Sequence, residues 1–224
     1  MNRRDVTTVL HAAMAEAVRD FHAWTGGESI EEWGVESLLT STCARHLATA
    51  IKDNGDTALI TMEQTFAGVL AYSQRWIQPG RRPHCLRDVE DKPGGKVDLV
   101  LWTRTSGPDA PDKPRAMIEI KRSERTEGLC EDAVRVINFV RAAGASYGGT
   151  VRYGAVATLL RAPAARAKAS MKAKVAHREA AVAKLAKKSG MTLKVSGPRW
   201  VADPNDERGH RTATVVFVLS PRQT

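Results

Sequence analysis

The chain has 224 residues, 42% of them hydrophobic, enough for one sizeable core plus a small appendage. Its net charge of +9 and pI near 9.7 favour an anionic partner such as nucleic acid or an acidic membrane surface, and charge alone names neither. Three scattered cysteines with no CxxC pair argue against a disulfide framework and for a reducing, cytoplasmic setting, and no apolar run approaches the roughly 18 residues of a membrane helix.

The opening residues lack the apolar core of a signal peptide. Over 5–24, Val6, Leu10, Met14, Val18 and Phe21 recur at steps of three and four, which predicts an amphipathic helix ending near "TGG". We take residues 1–28 as an N-terminal helical extension that packs on the rest or mediates self-association. Residues 29–224 are expected to form one α/β domain. It opens with a single helix from Ser29, which stands three residues before Glu32 in a capping-box pattern, to Asn54-Gly55. A strand is expected around 58–64, followed by a long Pro-, Gly- and Arg-rich loop over 73–95.

"KVDLVLW" and "RAMIEIK" then read as two strands of a hairpin joined by "TRTSGPDAPDKP". A helix over about 126–143, a "GASYGG" turn and a strand "VRYGAVATLL" follow. Next comes an Ala- and Lys-rich helix over 163–189 with Gly190 as its stop. From Arg161 to Lys188 the chain carries nine cations against Glu179, so this segment holds nearly all the net charge. Met171, Val175, Val182 and Leu185 form a narrow apolar stripe, with Lys174 and Arg178 beside it. Lys168, Lys172, Lys174, Arg178, Lys184, Lys187 and Lys188 are the candidates for phosphate contact, against the plainer reading of a solvated face. "MTLKVSG", "RWVAD" and "RTATVVFVLS" are expected as three closing strands, the last two joined through "PNDERGH".

Strand alternation puts Asp98 on a face with Val100 and Trp102, and Glu119 with Met117 and Lys121. A hairpin brings Asp98 level with Glu119 to within about one residue of register. On the second helix, Glu36 falls in the sector of Leu39, Cys43, Leu47 and Ala50. A carboxylate on such a stripe needs a buried Arg or Lys, or a metal ion. Each residue also has a plain reading: Glu119 and Lys121 as a strand-face ion pair, Asp98 as a turn cap, Glu36 as the partner of a buried arginine.

A helix bearing Glu in "GVESLL", a strand bearing Asp in "GKVDLVLW" and the next bearing Glu-x-Lys in "MIEIKRS" together resemble the PD-(D/E)xK nuclease superfamily, over roughly residues 29–160. Val97 stands where the motif's name has proline. The resemblance implies a restriction-endonuclease-like fold: a mixed central sheet flanked by helices with core order αβββαβ. It implies a metal-dependent nuclease, acting on DNA ahead of RNA. Asp98, Glu119 and Glu36 would serve Mg²⁺ or Mn²⁺, and Lys121 would act on the attacking water or the developing phosphate charge. Glu63 ranks behind Glu36 as the further acid. A homodimer would suit cutting both strands. The alternative is a non-catalytic nucleic-acid-binding or assembly protein on the same fold.

Two other constellations carry less. Cys43 and His46 have C-x-x-H spacing, with His84-Cys85 as further zinc ligands, but Cys43 on an apolar stripe favours core packing. The glycine clusters lack the GxxxxGK[ST] form of a nucleotide loop.

Overall fold

The computed structural model describes residues 1–74, 95–105, 112–122, 125–145, 149–201 and 209–222. The chain is an α/β protein whose six strands form one open mixed sheet, in the order β1-β2-β3-β4-β6-β5, packed against helices. Strand β1 (Ala58–Thr65), β2 (Lys96–Thr103) and β3 (Lys113–Lys121) run as an antiparallel meander. Strand β4 (Tyr153–Pro163) lies parallel to β3. Its other neighbour is the antiparallel β6 (His210–Pro221), which carries β5 (Met191–Trp200) at the outer edge.

Both faces are covered. Helix α1 (Arg3–Thr25) and α3 (Glu36–Asp53) close one face, where Leu10, Met14, Leu39 and Leu47 pack on Leu99, Leu101, Ile118, Ile120 and Val216. Helices α4 (Phe66–Gln74), α5 (Thr126–Ala142) and α6 (Ala167–Lys188) close the other, where Phe66, Val136, Phe139, Met171 and Val182 pack on Val100, Met117, Val156 and Phe217. Fully burying side chains of this size contributes about 1.5–3 kcal/mol each. Close approach of α5 depends on Gly154, since a Cβ on β4 there would run into the Val136 side chain. The expected stripe of α6 is the face it buries, with Met171, Val175 and Val182 inside and Leu185 partly so.

Helix α1 begins earlier than its apolar pattern suggests. The Asn2 side chain accepts the Arg4 and Asp5 amides, and the Asp5 carboxylate accepts the Asn2 amide in return, a capping box with Asn at its head. Gly26 ends the helix in the left-handed region at φ 71°.

Three expectations need correction. The single helix from Ser29 is broken into one turn, α2 (Ile30–Trp33), and α3, with Gly34 in extended backbone between them. Ser29 makes no side-chain cap there. Instead, the Arg122 guanidinium donates to the Gly34 carbonyl, so a side chain from beyond β3 satisfies the backbone exposed by the break. Second, residues 66–72, which follow the expected strand, form α4 together with the first two residues of the expected loop over 73–95. Its run from Phe66 to Tyr72 is apolar on every side, so no helical periodicity marks it, and its signal is the Thr65 hydroxyl accepting the Gly68 amide. Third, "MTLKVSG" and "RWVAD" do not form two strands. Residues 191–200 form one strand, interrupted by a register shift between Ser196 and Arg199 around Gly197 at φ 105°. Residues 75–94 of the expected long loop lie outside the described residues, as do 106–111 of the hairpin connection, 146–148 of the Gly-rich turn and 202–208 of the closing connection. Among the described residues no helix is long and apolar enough to cross a membrane.

Candidate active site

The hairpin sets the register from which the site is built. Leu99 pairs with Ile118, so Asp98 stands opposite Glu119. Asp98 Oδ2 accepts the Ile120 amide at 2.7 Å, which ties its carboxylate across the strand gap to the Glu-x-Lys segment. Ile118 and Ile120 turn to the α1/α3 face, while Met117 and Glu119 turn under α5.

Glu119 is only 1% exposed. Its carboxylate lies against two residues of α5 that sequence reasoning did not single out, Asp132 and Arg135. Arg135 Nη2 is 3.1 Å from Glu119 Oε2 and closer still to Asp132 Oδ1. The Glu119 contact lacks hydrogen-bond geometry, for neither Glu119 oxygen has a hydrogen-bond partner. Asp132 therefore takes the larger share of the guanidinium. Burial, reinforced by the negative charge of Asp98, pushes the Glu119 carboxyl up to about 9 against the pull of Arg135.

Lys121 lies at the C-terminal end of β3, between the first residue of α3 and the second turn of α5. Its ammonium is 3.0 Å from Glu36 Oε1 and 3.9 Å from Asp132 Oδ2. Burial works against the charge, yet Asp132, Asp98 and Glu36 together raise its pKa, so Lys121 is held as a cation. Glu36 is the first residue of α3, not a mid-helix residue on a buried stripe, because the break at Gly34 moves the helix start onto it. A carboxylate there is favoured by the helix dipole, and its side chain is 42% exposed. It also accepts the Arg122 amide at 3.4 Å. The partner that a charged group at this position needed is thus Lys121.

Asp98, Glu119, Lys121 and Glu36 therefore come together at one end of the sheet. Glu63 does not join them; it lies on β1 beside β2, level with Asp98, but its side chain pairs with Lys96 at 3.0 Å. Asp132 carried the same signal that drew attention to Glu36. It falls on the apolar stripe of its helix with Leu129, Ala133, Val136 and Val140, and is 6% exposed. Arg135, one turn on, follows from it.

The chemistry of this set fits a divalent cation in one specific respect. Among the described residues the four carboxyl groups of Glu36, Asp98, Glu119 and Asp132 share two cations, Lys121 and Arg135. Glu119 also keeps two buried oxygens without hydrogen bonds beside Asp98. Among the described residues no three His, Cys, Asp or Glu side chains form a metal cage by themselves. Mg²⁺ needs only one or two carboxylates with water and substrate oxygens completing its shell.

The remaining candidates sort clearly. Cys43 is fully buried in the α1/α3 core, where burial pushes its thiol pKa far up, and His46 Nε2 meets Glu16 Oε2 at 2.8 Å. Neither is placed as a zinc ligand, and His84 and Cys85 lie outside the described residues. On α6, Lys168, Lys172, Lys184, Lys187 and Lys188 are exposed. Lys174 and Arg178 are half-buried, with Lys174 donating to the Arg161 carbonyl and Arg178 to the Lys174 carbonyl. Arg161 in turn pairs with Glu32 on α2 at 2.6 Å. Compared with known proteins, the chain matches no family model, no curated protein and no solved structure.

Proposed function

We propose that the chain is a divalent-metal-dependent nuclease of the PD-(D/E)xK type, hydrolysing phosphodiester bonds in nucleic acid, DNA ahead of RNA. The observation that carries this reading is the Asp98–Glu119 pair, with two buried oxygens of Glu119 free of hydrogen bonds and Lys121 one strand period away. The αβββαβ order from α3 to β4, with α4 inserted after β1, supports a restriction-endonuclease-like core.

Asp98 and Glu119 would hold Mg²⁺ or Mn²⁺, which when bound neutralises phosphate charge and makes a water nucleophilic. Asp98 is oriented for this by the Ile120 amide. Lys121, fixed between Glu36 and Asp132 and held protonated, serves as a positive charge toward the phosphate and not as the base. Glu36 acts through Lys121, keeping its ammonium at the strand end. Asp132 holds Arg135 away from full pairing with Glu119, which leaves the Glu119 oxygens open to a cation. Exposed lysines of α6 would add phosphate contacts that carry no sequence information.

One observation favours the second reading, a nucleic-acid-binding or assembly protein without catalysis: Glu119 is 1% exposed and already lies beside Arg135. Cleavage of supercoiled plasmid and of labelled oligonucleotides in Mg²⁺ or Mn²⁺ separates the two. The nuclease reading expects cutting that chelator, Asp98→Ala and Lys121→Ala each remove. Binding without cutting in the wild type, or cutting that survives both substitutions, contradicts it.

A further inference from the structure

A second site lies on the opposite face of the sheet from Glu119, toward the β5 edge. Helix α1 covers the middle of its face and reaches β5 at Ser196 through His11, and a groove of about 640 Å³ runs between its first two turns and β5. Arg3, Arg4, Lys194 and Arg199 line it, over a floor that includes Ser196 and Ser220. A smaller cavity of about 450 Å³ shares Arg3 and Ser220 and adds Arg222.

Outside the segment from Arg161 to Lys188 the chain is close to neutral, so four cations in one groove are a local segregation of charge. None of the four has a carboxylate partner among the described residues. The Asp5 carboxylate on α1 accepts the Asn2 amide at 3.0 Å. Arg3 donates to the Ser220 hydroxyl at 2.8 Å, which aims one guanidinium along the groove floor. Ser196 is held from behind by His11 Nε2 at 3.1 Å. Burial, with Arg199 nearby, lowers the His11 pKa to about 4, so this imidazole is neutral and the groove's charge comes from its arginines and lysine.

We infer that this groove binds a small polyphosphate anion, of the kind carried by a nucleoside triphosphate. The volume lies in the range of small-molecule sites. Four cations balance the charge of about −4 that three linked phosphates carry, and guanidinium and hydroxyl groups donate to phosphate oxygens. Among the described residues no aromatic side chain lines it, so they offer no stacking platform of the kind a single nucleic-acid strand uses. The basic helix α6 lies on the other face of the sheet, so a nucleic acid held there does not fill this groove.

The test is calorimetric titration of the full-length protein, in EDTA at fixed ionic strength, with sodium tripolyphosphate, ATP, sodium sulfate and a short DNA duplex. Tripolyphosphate and ATP are expected to bind well above sulfate, with affinity falling about tenfold for each cation removed in Arg4→Ala, Lys194→Ala and Arg199→Ala. Lys172→Ala with Lys184→Ala on α6 leaves that binding unchanged. Equal affinity for the two ligands identifies the phosphates alone as the recognised group, and tighter ATP binding adds the nucleoside. Tripolyphosphate binding no tighter than sulfate, or surviving Lys194→Ala with Arg199→Ala, overturns the assignment. So does duplex binding that these substitutions abolish while tripolyphosphate fails to bind.

Discussion

Replacing Glu119 with Gln keeps its shape and removes its charge, and the structure sets the size and sign of the result. Folding raises the carboxyl pKa from an ordinary 4.5 to about 9, burial first and Asp98 second. A carboxyl raised in this way favours the folded state fully only below about pH 4.5, and that favour is lost as pH rises toward 9. In this window the unfolded chain has released the proton and the native chain still holds it, so stability falls by about 1.4 kcal/mol per pH unit. At pH 7 the metal-free protein thus bears a cost of roughly 3 kcal/mol that Gln does not. Urea denaturation in EDTA at pH 5, 6, 7 and 8 measures it. Glu119→Gln should match the wild type near pH 5 and exceed it increasingly toward pH 8. A gap that stays constant with pH, or a variant that is the less stable at pH 8, would refute the reasoning and show Glu119 ionised against Arg135.

Three further outcomes follow from particular contacts. Leu10→Ala removes a fully buried side chain shared by α1 and the sheet, and should cost about 2–5 kcal/mol in denaturant unfolding, as expected of a helix inside the core and not of a detachable extension. Glu36→Gln leaves Lys121 with only the more distant Asp132, and should lower kcat in plasmid cleavage by roughly tenfold, about 1.4 kcal/mol, while Asp98→Ala abolishes it. Lys172→Glu, Lys184→Glu and Lys188→Glu together should flatten the dependence of DNA affinity on salt by about three counterions, read from binding at several salt concentrations; an unchanged slope would assign α6 a solvated face only.

Strand periodicity made the central pair legible, because a period of two leaves Asp98 and Glu119 little freedom once the hairpin is recognised. The pattern of α3 drew attention to Glu36 for a partly mistaken reason. Its depth differs from that pattern, since α3 begins only after the break at Gly34, whose carbonyl accepts from Arg122 beyond β3. No local signal encodes that contact, which joins residues far apart in the chain. Asp132 was legible and missed, as a carboxylate on the buried stripe of α5. The depth of Glu119 was not legible, because alternation assigns a face without saying which helix covers it. Helix α4 escaped for the converse reason: an all-apolar run has no period to detect.

The most direct measurement is the anomalous difference density of a crystal soaked in Mn²⁺. The account predicts a peak between Asp98 and Glu119, with the Glu119 carboxylate turned from Arg135 toward the ion, and no such peak in Asp98→Ala. Density absent from that position, with Glu119 still against Arg135 at saturating Mn²⁺, would contradict it.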